Sequence, residues 1–393
     1  LVYPDRTVHT GLLEYKNVYR PARVISYDKE SGELVLHNYM DFDDLKDYVK
    51  ISYELTQDGL VISKGILPEF SVAPHGEGIT NLKINVPENG KCYLKLIYHL
   101  KKELPLLDED HILGFDEIEV SKEDTKCKLA EKWIPKTVVD SELQVNENDT
   151  QIHIKGREFA YTIDKRTALF TEMKFAGREY LNHPMELNIW RAPTDNDMYI
   201  KSEWKKAHYD KAYTRAYTTE VVQGKHGVKI TSHASVVAET VQKILDVMIT
   251  WKIEVAGKID ADIEVTKDDE FPDLPRFGVR MFLDKKLSAA RYFGMGPQES
   301  YCDKHQASSH GLYQANVDDL HEDYIRPQEN GSHYDCEYLR SYSRKYDMFS
   351  GCPIHSTILC SGRFHFISRF AFLILLSYSK PTCFSKSTMS TFI

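Results

Sequence analysis

Several common signatures are missing from this chain of 393 residues. Its cysteines form no Cys-x-x-Cys pair and stand apart at Cys92, Cys127, Cys302, Cys336, Cys352, Cys360 and Cys383. A zinc or redox centre is therefore not predicted, and unpaired thiols suit a reducing, cytoplasmic compartment. The apolar run Phe370–Leu376 is far shorter than the ~20 residues that a membrane-spanning helix needs.

Signatures of metal, nucleophile and nucleotide chemistry are missing as well. None of the 16 histidines lies in an HExxH motif, and no GxSxG elbow occurs. Pro297 follows Gly294-Met295-Gly296 where a phosphate-binding loop would need a free N–H, which disfavours nucleotide binding. A net charge of −9 and a pI near 6.0 argue against nucleic acid and anionic membrane as partners. Neutral polar ligands such as sugars remain compatible.

Both ends of the sequence are unusual. The chain begins with Leu1 and shows no charged-then-apolar leader, so we expect a sequence cut from something longer, without a secretory signal. No Asp or Glu follows Asp347, although the overall content of 59 in 393 residues predicts about seven in that stretch. Residues 348–393 are therefore either a genuine C-terminal hairpin or an aberrant tail that leaves its reading frame near Ser350–Arg363.

The sequence is rich in period-two alternation, which is typical of β-strands. Val49–Leu55 and Leu94–Leu100 alternate, and Asn89-Gly90 between alternating runs predicts a hairpin. Residues 1–120 are thus predicted to form a β-sandwich of six or seven strands. The charged, poorly periodic residues 121–145 are predicted to be a linker.

Strands resume after the predicted linker. A turn at Gly156-Arg157 joins two short runs, and a longer hairpin joins Val247–Val255 to Ile259–Val265. Because a single hairpin cannot bury its apolar face, residues 146–347 are predicted to form a large two-sheet sandwich. Ser202–Lys211 is the one segment with a helical pattern.

Two carboxylate pairs are candidates for glycoside hydrolysis, which needs two carboxyl groups facing one glycosidic bond. They are Asp195/Asp197 and Glu299/Asp303. The structural alternative is that the Asx-rich segment caps backbone N–H groups and that Glu299 pairs with Arg326. A third interpretation is sugar contact, for which we expect Asp195, Asn196 and Asp197.

Aromatic residues flank both segments, and aromatic faces stack on the C–H faces of pyranoses. These residues are Trp190, Tyr292, Tyr301, Tyr313 and Tyr324. Core packing of strands is the alternative for each of them taken alone, whereas their clustering near acidic and amide groups predicts one shared polar cleft.

The ordered motifs resemble the C-terminal region of the large β-galactosidases of glycoside hydrolase family 2. WRAPTDND at Trp190–Asp197, GMGPQESYCD at Gly294–Asp303, GLY at Gly311–Tyr313 and YIRPQENG at Tyr324–Gly331 follow in the family's order. The opening Leu1–Val24 resembles the family's entry into its fourth domain. The resemblance runs to about Asp347.

The resemblance implies an all-β fold: an immunoglobulin-like β-sandwich followed by a large galactose-mutarotase-like β-sandwich. In this family the catalytic glutamates and the magnesium and sodium ligands lie on the barrel and earlier domains. The resemblance therefore implies no catalytic residue, no metal ligand and no cofactor in this chain. The family's late tryptophan near the sugar is also missing, since no tryptophan follows Trp251.

The implied function is the C-terminal part of a cytoplasmic β-galactosidase acting on terminal non-reducing β-D-galactose residues, such as those of lactose. The chain would supply scaffold and active-site rim, and would be inactive alone. Expected partners are a β-galactoside sugar, a separate catalytic-barrel subunit and further copies in an oligomer. One alternative is a non-catalytic carbohydrate-binding or scaffold module. Another is a mutarotase-like aldose epimerase, which would need a His base and a Glu acid converging in a cleft.

Overall fold

The computed structural model describes residues 1–121, 142–175, 177–343, 348–352 and 365–372. The chain divides into two compact units, Leu1–Leu129 with Phe293–Tyr313, and Ala130–Tyr292 with Gln314–Ile393. Most of the predicted linker and most of the predicted aberrant tail lie outside the described residues. No helix within the described part is long and apolar enough to cross a membrane.

The first unit is an antiparallel β-sandwich. Its helices are α1 Thr10–Val18 and α2 Leu45–Tyr48, and its first strands are β1 Ala22–Tyr27, β2 Glu33–Asn38, β3 Val49–Gln57, β4 Leu60–Ile66, β5 Glu77–Asn81, β6 Cys92–Leu100 and β7 Ile112–Glu119. The orders β1-β2-β5 and β4-β3-β6-β7 make two sheets. Leu34 and Leu36 of one sheet and Leu94 and Leu96 of the other share one buried core.

Two connections of this unit depend on turn residues, and one of them corrects a prediction. Asp58 and Gly59 both have positive φ, 49° and 78°, so they form the tight β3–β4 turn. The predicted hairpin at Asn89-Gly90 is wrong. The strand before it, β5, pairs with β2, whereas β6 pairs with β3 in the other sheet, so residues 82–91 carry the chain across the sandwich.

The second unit is a larger sandwich. Its strands include β8 Gln144–Glu147, β9 Gln151–Lys155, β10 Phe159–Asp164, β11 Leu169–Phe175, β12 Arg178–Glu179, β13 Leu181–Asn188, β14 Tyr213–Gly224, β15 Gly227–Val237, β16 Leu245–Glu254, β17 Ile259–Lys267 and β18 Gly278–Leu283. The chain passes from the second unit to the first within β19 Ala289–Gly296, and it returns within β20 Ser309–Asn316. The last strands are β21 Tyr338–Ser343, β22 Met348–Cys352 and β23 His365–Phe372. The two five-stranded sheets are β12-β11-β10-β9-β8 and β14-β15-β16-β17-β23.

One core lies between these sheets and joins side chains from both. The Trp251 ring packs edge-on against Phe170, with centroids 4.9 Å apart, and its Nε1 donates to the Ala168 carbonyl at 2.8 Å. The predicted hairpins at Gly156 and Gly257 are confirmed by the antiparallel pairs β9–β10 and β16–β17. The all-β prediction is confirmed.

The helix prediction needs correction. A helix, α3, covers Lys201–Lys206 only. His208 adopts a left-handed backbone with φ of 58°, and a short 3-10 turn at Tyr209–Lys211 follows. Because a left-handed residue cannot continue an α-helix, the predicted single helix is split. The helices α1 and α2 of the first unit escaped the sequence analysis.

Candidate functional site

The loop Trp190–Asp197 leaves β13 and leads towards α3, and Asp197 organises it. The buried Asp197 carboxylate accepts from the Thr194 backbone N at 2.8 Å and from Thr194 Oγ1 at 3.1 Å. Its other oxygen accepts from Arg191 Nη2 at 2.8 Å. Thr194 and Asp197 form a capping box on the 3-10 turn Asp195–Asp197. Asp197 therefore caps backbone and side-chain donors of its own loop, as the structural interpretation expects, and its predicted sugar contact stays a prediction.

Asp195 and Asn196 stand at the exposed tip of the same loop. The Asp195 backbone N donates to Gln328 Oε1 at 3.2 Å. In the described part of the chain, neither the Asp195 carboxylate nor the Asn196 amide has a partner. Acceptors and donors held on a fixed backbone are suited to binding sugar hydroxyls. The predicted sugar contact thus fits these two residues better than Asp197.

The loop is held by Glu329, which belongs to the motif Tyr324–Gly331. Glu329 Oε2 accepts from the Ala192 backbone N at 3.1 Å, and the Glu329 N donates to the Ala192 carbonyl at 3.1 Å. Glu329 Oε1 also pairs with Arg276 Nη2 at 2.7 Å, where the Arg276 side chain is only 3% exposed. The fold thereby brings together motifs that are far apart in the sequence.

Two tryptophans pack beneath the loop. Trp190 and Trp204 meet edge-to-face with centroids 6.4 Å apart, and the Arg191 guanidinium lies 5.9 Å from the Trp204 centroid. Trp204 Nε1 donates to the Asp273 carbonyl at 2.8 Å. Core packing therefore describes Trp190 better than ligand stacking does.

The remaining flanking aromatics do not behave alike. Tyr292 is 1% exposed and packs beside His333, with ring centroids 4.2 Å apart, while Tyr324 is half-buried. Tyr301 and Tyr313 belong to the first unit, where burial raises the pKa of Tyr313 to about 12. Because Tyr292 is buried, its ring is not accessible for stacking on a sugar. The shared polar cleft stays a prediction.

Glu299 and Asp303 lie in the Phe293–Tyr313 part of the first unit. Glu299 is buried and forms an ion pair with Lys304, whereas Asp303 is exposed. The cation that the structure shows for Glu299 is therefore Lys304, where the sequence analysis expected Arg326. An adjacent lysine satisfies the carboxylate locally, which favours the structural interpretation of Glu299.

The first unit contains a cluster of polar side chains that was not predicted from the sequence. Glu117 Oε1 lies 2.7 Å from His310 Nδ1, and both side chains are about nine-tenths buried. The His310 ring stacks on Tyr93 at 4.1 Å with an interplanar angle of 5°. Lys95 Nζ donates to Ser309 Oγ at 2.8 Å, and burial lowers the pKa of Lys95. No sequence pattern links these residues, because β6, β7 and β20 meet only in the fold.

Two further kinds of site are a metal-binding cluster and a reactive thiol. Within the described residues, no group of three or more His, Cys, Asp or Glu is placed to hold a metal ion. Cys92 is a buried, unpaired thiol, and burial raises its pKa to about 11. Since the thiolate is the reactive form, burial and the raised pKa disfavour a nucleophilic role for Cys92.

Fold and site together define an all-β protein of antiparallel sandwich units whose second unit presents a braced, carboxylate-bearing loop. The family described as "Beta galactosidase small chain" matches residues 155–379, and "Beta-galactosidase, domain 4" matches residues 34–121. The chain belongs to the β-galactosidase family. The first match continues beyond Asp347 into the segment without acidic residues.

Individual relatives agree with this assignment. A β-galactosidase of Actinobacillus pleuropneumoniae is 42% identical over 344 residues, covering 87% of this chain and 33% of the relative. β-Galactosidases of Staphylococcus xylosus and Lactobacillus delbrueckii subsp. bulgaricus are 28% and 29% identical. This chain therefore spans about a third of the length of the relatives that it matches.

Proposed function

We propose that this chain is the C-terminal part of a β-galactosidase that hydrolyses terminal non-reducing β-D-galactose residues of lactose-type substrates. In this proposal it contributes scaffold and active-site rim, and the catalytic glutamates belong to another polypeptide segment. The observation that carries the proposal is the braced loop with Asp195 and Asn196 at its tip, in a chain of this family.

The bonding of the loop carboxylates supports this division of labour. A retaining glycosidase needs one carboxyl group as acid and base and one as nucleophile, ~5–5.5 Å apart. Asp197 is occupied by Arg191 and Thr194, and Glu329 by Arg276 and Ala192. In each of them both carboxylate oxygens accept from or pair with protein groups, so both serve to fix the loop. Asp195 and Asn196 remain to bind hydroxyl groups and position the sugar.

The test is complementation on a chromogenic β-galactoside. The purified chain is assayed alone, and then together with the Actinobacillus pleuropneumoniae relative from which the matching third has been deleted. We expect no turnover from either polypeptide alone and turnover from the mixture. Turnover by this chain alone would contradict the claim that the catalytic glutamates lie elsewhere.

The loop variant Asp195→Ala/Asn196→Ala refines the test. We expect kcat/KM of the complemented enzyme to fall about tenfold, the scale of one or two lost polar contacts. Lys225→Ala, an exposed change at the turn between β14 and β15, is the control. A mixture that binds lactose calorimetrically yet never turns over would instead support the alternative of a non-catalytic carbohydrate-binding module.

A further inference from the structure

Two aromatic rings of the first unit are displayed on the loop between β2 and α2. Phe42 is 91% exposed and Tyr39 is 47% exposed. A single exposed apolar residue needs no explanation, but neighbouring exposed rings often mark a binding surface. Tyr19, at the end of α1, is also 69% exposed and lines the same cleft.

This loop is fixed by buried hydrogen bonds. Asn38 is fully buried, and its Nδ2 donates to the carbonyls of Asp43 and Val72, both at 2.9 Å. Its Oδ1 accepts from the Met40 backbone N at 2.9 Å. At the far end, Asp44 Oδ1 accepts from the Lys46 and Val72 backbone N atoms, both at 3.1 Å. The exposed position of Phe42 is thus held by the fold, which lowers the entropy cost of binding a ligand.

The Tyr39 ring is positioned as well. The Arg23 guanidinium carbon lies 4.9 Å from its centroid, and the His37 ring lies 4.4 Å away at an angle of 59°. Arg23 is itself held, since its Nη2 donates to the Val18 carbonyl at 2.7 Å. A tyrosine ring braced in this way and still half-exposed offers a flat apolar surface to a ligand.

The rings border a cleft of about 620 Å³, within the range of small-molecule sites. Its charged side chains are Arg20, Arg23, Asp41 and Asp43, so the positive and negative charges balance. Arg20 is paired with Asp116 at 2.7 Å and Asp41 lies 2.9 Å from His75. In the described residues, the Asp43 carboxylate has no partner. A charge-balanced cleft with aromatic faces and a carboxylate acceptor fits a neutral, hydroxyl-rich ligand.

We propose that this cleft is a carbohydrate-binding site, in which pyranose rings stack on Phe42 and Tyr39 and Asp43 accepts hydrogen bonds from sugar hydroxyls. The site lies wholly in the first unit, and it does not depend on the proposed β-galactosidase function. Stacking needs the flat ring itself, which separates this proposal from the docking of a polypeptide on an apolar surface.

The test is isothermal titration calorimetry of the full chain with lactose and with a β-linked galacto-oligosaccharide at millimolar concentrations. All variants carry the Asp195→Ala/Asn196→Ala background, so sugar bound at the second-unit loop does not contribute. We expect Phe42→Ala to weaken binding at least tenfold, as for a central aromatic contact. Phe42→Tyr should bind within about threefold of the parent chain.

Two further variants make the result decisive. Phe42→Leu keeps an apolar side chain without a flat face, and we expect it to bind as weakly as Phe42→Ala. Leu106→Ala changes another residue of the first unit that is 94% exposed, and it should leave binding unchanged. The proposal is overturned if neither sugar gives heat, if Phe42→Leu binds like the parent chain, or if Leu106→Ala weakens binding equally. Circular dichroism checks that every variant is folded.

Discussion

Asp195 and Asp197 stand two positions apart in one motif, yet the structure gives them different surroundings. Asp197 is 5% exposed and bonded to Thr194 and Arg191, whereas Asp195 is exposed at the loop tip. The capping role of one aspartate was predictable from the Thr-x-x-Asp spacing. Which of the two would be buried was not predictable, because that depends on Arg191 lying against Trp204.

Replacing Asp197 by alanine should destabilise the second unit by about 2–3 kcal/mol, because the buried Arg191 loses its counter-ion and the turn loses its cap. Asp195→Ala should change stability by no more than about 0.5 kcal/mol, as expected for an exposed position. Urea unfolding followed by tryptophan fluorescence is a suitable measurement, since every tryptophan lies between residues 133 and 251. Equal destabilisation by both substitutions would contradict the assigned roles.

Asp164, the last residue of β10, gives a pH-dependent prediction. The side-chain hydrogen bond from Arg166 lowers the pKa of Asp164, with Arg166 Nη2 2.6 Å from Asp164 Oδ2. Because the pKa of Asp164 is lower in the folded state, its ionised carboxylate stabilises the fold. This stability is fully present above the pKa of an aspartate in the unfolded state, about 3.9, and it is lost as the pH falls through the lower pKa of the folded state.

The chain with Asp164→Asn should therefore be less stable than the parent chain at pH 7. The difference should shrink as the pH falls below about 4. Urea midpoints between pH 7 and pH 2.5 would measure it, with the exposed Asp149→Asn as control. A difference that stays constant across this range would show that the Arg166 contact carries no pH-dependent stability.

At the scale of elements, period-two alternation correctly predicted many strands, and short turn motifs correctly predicted several hairpins. Leu245–Glu254 alternates buried and less buried residues along its length, and its partner β17 follows after a turn containing Gly257. The Asn89-Gly90 prediction failed because an Asn-Gly turn specifies a reversal of the chain without specifying the sheet that receives the next strand. The helices of the first unit were missed because they are short and their positions depend on packing.

Two neighbouring residues of β16 test this alternation directly. Ile249 is fully buried, whereas Met248 is 38% exposed and lies opposite Glu264 of β17. Ile249→Lys should cost at least about 4 kcal/mol, because it places an unpaired charge in the core. Met248→Lys should be tolerated within about 1 kcal/mol, since a charge pair across the strands is favourable. The urea midpoints of the two variants compare them, and similar losses would contradict the assigned faces.

For the whole molecule, the order of motifs identified the family, and the family matches cover residues 34–121 and 155–379. The interpretation of residues 348–393 as an altered reading frame stays a prediction. Two observations bear on it: the family match continues to residue 379, and β23 pairs antiparallel with β17 from Thr266–His365 to Ile259–Phe372.

Truncated chains test whether residues after 347 belong to the fold. A chain ending at residue 347 would leave β17 as an exposed edge, and such edges favour aggregation. We expect this chain to unfold at lower urea concentration and to aggregate at lower protein concentration than the full chain. A chain ending at residue 379 keeps β23 and should behave like the full chain. Identical behaviour of all three would mean that residues 365–372 do not pair with β17 in solution, which would favour the altered reading frame.

The sequence by itself determined the all-β class, most of the strands, several tight turns and the family, because alternation and turn residues act locally along the chain. Only the tertiary structure decided which groups the buried polar side chains contact. Glu329 holds Ala192, Glu117 meets His310, and Asn38 fixes the loop that displays Phe42. These contacts join residues that are distant in sequence or depend on burial, and neither distance in space nor burial of a polar group follows from a local pattern.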